Sequence, residues 1–196
     1  RMGTTALCAQ ALGAGDSREL RAVPVRALLT ASALGLALVL LAWPILAGAQ
    51  VIFAPGAEAG RSLATYLLIR LFGAPAALGS FVVLGWLLGL QDSRGPLALL
   101  VLTNAVNAIL ALLLVLGLGY GVAGVAVATL IAEHVGFAAG LLLVRRRWLR
   151  MGLGTASRAE IFVRERFLRL LLVNRDIFLR SAALETAFLT FTALGS

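Results

Sequence analysis

Uncharged, mostly apolar residues run without interruption from Ala27 to Ala57 and again from Leu97 to Ala132. A membrane-spanning helix needs about 20 such residues, so the first run predicts one span, at 27–49, with Pro44 near its far end. A more polar connector follows at 50–64, carrying Pro55, Gly56, Glu58 and Arg61. A second span is expected at 65–90, with Arg70 near its start and Pro75 inside it, where a proline bends the helix. The polar residues 91–96 close it as a turn. The run from Leu97 is too long for one span, and the glycines at 117, 119 and 121 divide it. This gives a third span at 97–116, a turn at 117–121 and a fourth span at 122–144. Residues 1–26 read as the end of a preceding helix plus a loop. Residues 145–176 read as a basic loop, and 177–196 as the start of a further span.

Composition agrees with this pattern. Of the 196 residues 61% are hydrophobic and 13% charged, and the mean hydropathy is +0.99. A soluble domain has about 45–50% apolar and about 25% charged residues, so the fold class expected is an all-α, polytopic integral membrane bundle. The basic excess, 17 against 9 acidic residues, is supplied entirely by arginine. It gathers in the connecting segments, which is a signature of membrane topology and not of nucleic-acid binding. By the positive-inside rule, 1–26, 91–96 and 145–176 face the cytoplasm, while 50–64 and 117–121 face outward. Arg158, Arg166 and Arg169 interleave with Ile161, Phe162, Leu168 and Leu172, as in an interfacial amphipathic helix on anionic lipid.

Several residues inside the apolar runs are candidates for function. Gly124, Ala128, Ala132, Gly136 and Gly140 form a small-residue ridge along the fourth span, and such ridges let another helix approach closely. Glu133 and His134 sit mid-span, where ionisable groups are expensive and face a bundle interior or water. Adjacent residues point about 100° apart and do not make a facing pair. Glu133 is a candidate to carry a coupling proton, with a hydrogen bond to Thr129 as the structural alternative. Asn104 and Asn107, three apart on the third span, either join helices or line a polar cavity. Arg70 is the one arginine expected inside the bundle, its long chain snorkelling to the interface. Glu185 is a further membrane carboxylate. There is one cysteine and one histidine. With no metal-ligand spacing, phosphate loop or catalytic order, neither a metal nor a cofactor is expected, and the chain is not expected to be an enzyme.

The stretches RMGTTALCAQALGAGD, IRLFGAPAALGSFVVLGWLLGLQDSRGPLALLVLTNAVNAIL, GVAGVAVATLIAEHVG and LLLVNRDIFLRSAAL resemble, in order and spacing, the MATE (multidrug and toxic compound extrusion) transporters. The similarity is to the DinF-type branch. The resemblance implies twelve helices in two six-helix lobes, with this chain running from the end of helix two into helix seven, as a piece of a longer protein and part of its N-terminal lobe. It implies antiport of amphiphilic or cationic drugs or metabolites against protons or sodium ions, by alternating access, in a bacterial inner membrane. Membrane lipids and the remaining helices would be the partners. Asn107 matches a helix-five asparagine of the family, but Ala111 stands where relatives carry an aspartate. Glu185 is similar to a helix-seven acid of NorM-type relatives. On this reading Asn104 and Asn107 line the cavity, and Glu133 and Glu185 are the cation-coupling candidates. A lipid-linked oligosaccharide flippase of the same superfamily would need several basic residues in its cavity. An intramembrane enzyme would need a facing catalytic pair. A non-functional fragment is the remaining alternative.

Overall fold

The computed structural model describes residues 2–53 and 56–194, with side chains through residue 186. All regular structure among them is helical: α1 (Met2–Gly13), α2 (Ser17–Leu40), α3 (Ala42–Phe53), α4 (Ala57–Gly89), α5 (Arg94–Ala111), α6 (Gly121–Arg150), the single turn α7 (Arg158–Ile161) and α8 (Arg164–Leu194). A π-helical segment, Leu112–Gly117, continues α5. Among the described residues four helices are long and apolar enough to cross a membrane: α2, α4, α5 with its π extension, and α6.

The spans begin and end differently from the sequence expectation, for local reasons. Helix α2 starts at Ser17 and not at Ala27, because the Asp16 side chain accepts from the Glu19 backbone N–H and caps it. Within the segment expected to be a helix end plus a loop, residues 2–26 are therefore largely two helices joined by a tight turn at Ala14–Asp16. The expected span 27–49 is broken at Leu41. A proline ring clashes with the carbonyl four residues back; for Pro44 that is Leu40, the last residue of α2. The described residues of the connector 50–64 are mostly helical, since α3 runs to Phe53 and α4 starts at Ala57 with Glu58 in its first turn, where a carboxylate favours the helix dipole. Helix α6 continues past 144 to Arg150, its last-turn arginines lying at the favourable negative end of the dipole. The amphipathic segment and the fifth span are not separate: after a break at Phe162–Val163, α8 runs straight through Asp176. Among its described side chains Leu170 is the buried one, while Phe162, Leu168 and Leu172 are exposed.

Helix α4 is the hub: α1, α2 and α6 pack on it, and α5 packs on α6. Close approach depends on missing side chains. A Cβ on Gly35 of α2 would lie 2.6 Å from the Cα of Pro75 in α4, so this crossing admits only glycine. Along α6, Gly124, Ala128, Ala132, Gly136 and Gly140 are all buried. A Cβ on Gly140 would lie 2.8 Å from Val83 of α4, and one on Gly136 would collide with the Thr103 hydroxyl of α5. The ridge is the seam along which α6 meets both neighbours.

At one end the bundle is tied to its connecting segments. Trp86 is fully buried, stacks on Trp148 with ring centroids 5.9 Å apart, and donates its indole N–H to the Leu20 carbonyl. Arg26, 1% exposed, pairs with Glu19 at 2.7 Å, and Arg166 of α8 reaches the same carboxylate. This corrects the expectation that Arg70 is the one arginine inside. The Arg26 Nε is buried without a protein partner.

Candidate functional site

Arg70 and Glu133 each interrupt an otherwise uncharged stretch of a spanning helix, α4 and α6. The α4–α6 packing brings them together. The Arg70 guanidinium donates from Nη1 to Glu133 Oε2 at 2.8 Å and from Nη2 to Oε1 at 2.9 Å. This is the bidentate fork that planar guanidinium and carboxylate groups favour. Both side chains are partly buried, at 28% and 18% exposure, so solvent screens the pair less than a surface bridge. Gly73, one turn after Arg70, makes the seat: a Cβ there would lie 2.7 Å from Glu133 Oε2.

This geometry revises two expectations. Arg70 turns inward to a carboxylate instead of snorkelling outward. Glu133 is held by Arg70 and not by Thr129, whose hydroxyl is placed between the Val125 carbonyl (2.9 Å) and Asn107 Oδ1 (3.3 Å).

Glu133 also lines a cavity of about 160 Å³ between α4, α5 and α6. Ala77, Ser80 and Phe81 of α4, Thr103 of α5 and Gly136 of α6 are among the residues that line it. Phe81 and Leu100 are exposed at its edge. The lining is mainly apolar with few polar groups, the usual make-up of a small-molecule site.

The other candidates are placed apart from this centre. Asn107 joins α5 to α6 through Thr129, but Asn104 is exposed, and it is Thr103 that reaches the cavity. His134 is exposed and its Nδ1 lies 2.8 Å from the Leu130 carbonyl of its own helix. Glu185 is exposed on α8, which rests mainly on α1. The structure does not bring Glu185 into the Glu133 cavity. Among the described residues no group of acids, histidines and cysteine is arranged to hold a metal. Arg26 is buried against Glu19 and is not among the residues that line the cavity.

Sequence reasoning missed the pairing itself, along with Ser80, Thr103 and the Gly73 seat. A signal existed: two lone charges of opposite sign, each inside an apolar run, are each other's cheapest partners.

The MatE family model matches residues 1–113. The chain belongs to the MatE family. Along its whole length this MatE chain is 41% identical to DNA damage-inducible protein F of Escherichia coli (strain K12), covering 42% of that protein. Over 70 residues, 36% of the chain, it is 36% identical to Protein DETOXIFICATION 44, chloroplastic, of Arabidopsis thaliana, covering 13% of it. Two solved structures share its fold, each over 87% of this chain and 38% of theirs. They are the inward-facing conformation (TM-score 0.75, 24% identity) and the outward-facing conformation (TM-score 0.73, 26% identity) of a multidrug resistance MATE family transporter of the MOP superfamily. The MatE chain thus spans about two fifths of the length of DNA damage-inducible protein F and of the two solved structures. Its spans and family make it a multi-pass integral membrane protein.

Proposed function

We propose that this chain forms part of the N-terminal lobe of a secondary active efflux transporter, an antiporter that exchanges amphiphilic or cationic compounds for protons or sodium ions. The observation that carries this reading is Glu133 at the wall of a mostly apolar cavity. A carboxylate at that depth is costly and is retained where it binds or moves charge. The apolar wall supplies affinity for a hydrophobic body, and the carboxylate supplies preference for a cation. Likeness to a transporter seen facing inward and outward supports alternating access. The remaining helices of the full-length protein would complete the cleft, with the arginine-rich 145–176 region on the cytoplasmic face of a bacterial inner membrane. Glu133 is the leading coupling residue and Glu185 the second.

The test is substrate-driven ion flux. Full-length protein in proteoliposomes should move protons or sodium ions when substrate is added on one side. Substrate movement with no linked flux of either ion contradicts antiport.

A further inference from the structure

Glu133 faces two ways. One side holds the bidentate contact with Arg70, and the other forms part of the cavity wall. Arg70 itself is not among the cavity-lining residues; it lies seven positions before Ala77 on α4, about two helical turns away. Among the described residues Glu133 is the one charged residue lining the cavity, and its carboxylate is already paired with a guanidinium. We infer that Arg70 is a tethered competitor: it occupies the Glu133 carboxylate in place of an organic cation and must swing off before such a cation is bound there. This rests on the proposed transport function and adds a specificity-determining residue to its site.

Three observations carry the inference. First, the fork engages both carboxylate oxygens and sets the one negative charge against a guanidinium while it lasts. Second, among the described residues no basic side chain lines the cavity as a substitute counter-charge; on α4 Glu133 meets Arg70 and the Gly73 position, and on α6 the neighbouring His134 is exposed and bonds its own helix. Third, Arg70 has somewhere to go. Its side chain is 28% exposed, and the exposed Tyr66 lies one turn earlier on the same face of α4. An arginine side chain that turns one helical step toward Tyr66 vacates the carboxylate. The cavity would then present one carboxylate in an apolar wall, which suits a cation with a hydrophobic body. Apparent affinity is reduced by the fraction of time the competent state is populated. A pair that is open about one tenth of the time weakens cation binding about tenfold.

The experiment measures equilibrium binding of tetraphenylphosphonium to the purified full-length protein, without an ion gradient. Arg70→Gln is expected to bind about tenfold more tightly than the unaltered protein, and Arg70→Lys, which keeps a charge but not the fork, should fall between them. Adding Glu133→Gln to Arg70→Gln should abolish the gain. Unchanged, weaker or absent binding in Arg70→Gln overturns the inference, as does a gain that survives Glu133→Gln. Should Arg70→Gln fail to fold, an unchanged affinity in Arg70→Lys overturns it equally. Because no gradient is used, loss of antiport would sink the proposed function while this test still stood by itself.

Discussion

The Trp86 indole N–H is donated to the Leu20 carbonyl at 3.2 Å, and Leu20 is the residue four positions before Pro24. Proline has no N–H to give the carbonyl one turn back, so Pro24 leaves that oxygen without its helical donor. Trp86 of α4 supplies the missing bond across the α2–α4 interface. The same ring is fully buried and stacked on Trp148, which makes one side chain both the plug of the core and the repair of a helix defect.

Removing the ring should therefore be costly. Trp86→Ala is expected to destabilise the protein by about 3–5 kcal/mol, as large aromatic deletions do. Trp86→Phe keeps most of the packing but leaves the Leu20 oxygen unpaired, at about 1–3 kcal/mol. In a Pro24→Ala background residue 24 regains its N–H, and the cost of Trp86→Phe should shrink. Denaturation of the detergent-solubilised protein through this double-mutant cycle measures the coupling; equal costs in both backgrounds would show that Pro24 and Trp86 act independently.

The α2–α4 crossing makes a sharper steric prediction. Gly35→Ala places a methyl 2.6 Å from the Pro75 backbone, whereas at Gly48 a Cβ meets nothing within 4 Å. Gly35→Ala should cost about 1–3 kcal/mol through overpacking. Gly48→Ala should be neutral or slightly stabilising, since alanine favours helix over glycine. Thermal unfolding of the two variants side by side is the check.

Glu160 gives a pH dependence outside the spanning helices. Arg21 donates to its carboxylate from Nε and Nη2, and the Ser157 backbone N–H donates as well. The Arg21 hydrogen bonds, then the Ser157 backbone, hold its pKa at about 2, below an ordinary 4.5. Because the folded value is lowered, the attachment of α7 to α2 is at full strength above about pH 4.5 and is lost as pH falls toward 2. Hydrogen exchange should show residues 157–163 losing protection across that window, and Glu160→Gln should show low protection throughout. A pH-independent profile in the unaltered protein would rule this out.

The helices and their membrane setting were legible in the sequence because long uncharged runs have no other stable home. Their ends were less so. The Asp16-x-x-Glu19 cap and the Ser157-x-x-Glu160 capping box are written in the chain as local signals, yet hydropathy, which marks lipid contact and not helix length, places the boundaries elsewhere. Pro44 was visible, but its effect is felt four residues earlier, at Leu40. The site was half legible: Glu133 stands out as a charge in an apolar run, but its partner lies 63 residues away and is chosen by how α4 packs on α6. That packing in turn depends on Gly73 and the α6 ridge, where what matters is the side chain that is missing. Asn104 and Asn107 share a helix face, yet only tertiary placement separates the one bonded to Thr129 from the one left exposed.

The most direct test of Glu133 as the coupling carboxylate is tetraphenylphosphonium transport by the full-length protein in proteoliposomes, driven by an imposed proton or sodium gradient. The unaltered protein should show flux that rises with the gradient, and Glu133→Gln, at equal reconstitution, should lose that dependence. A Glu133→Gln protein whose flux still follows the gradient unchanged would contradict the account.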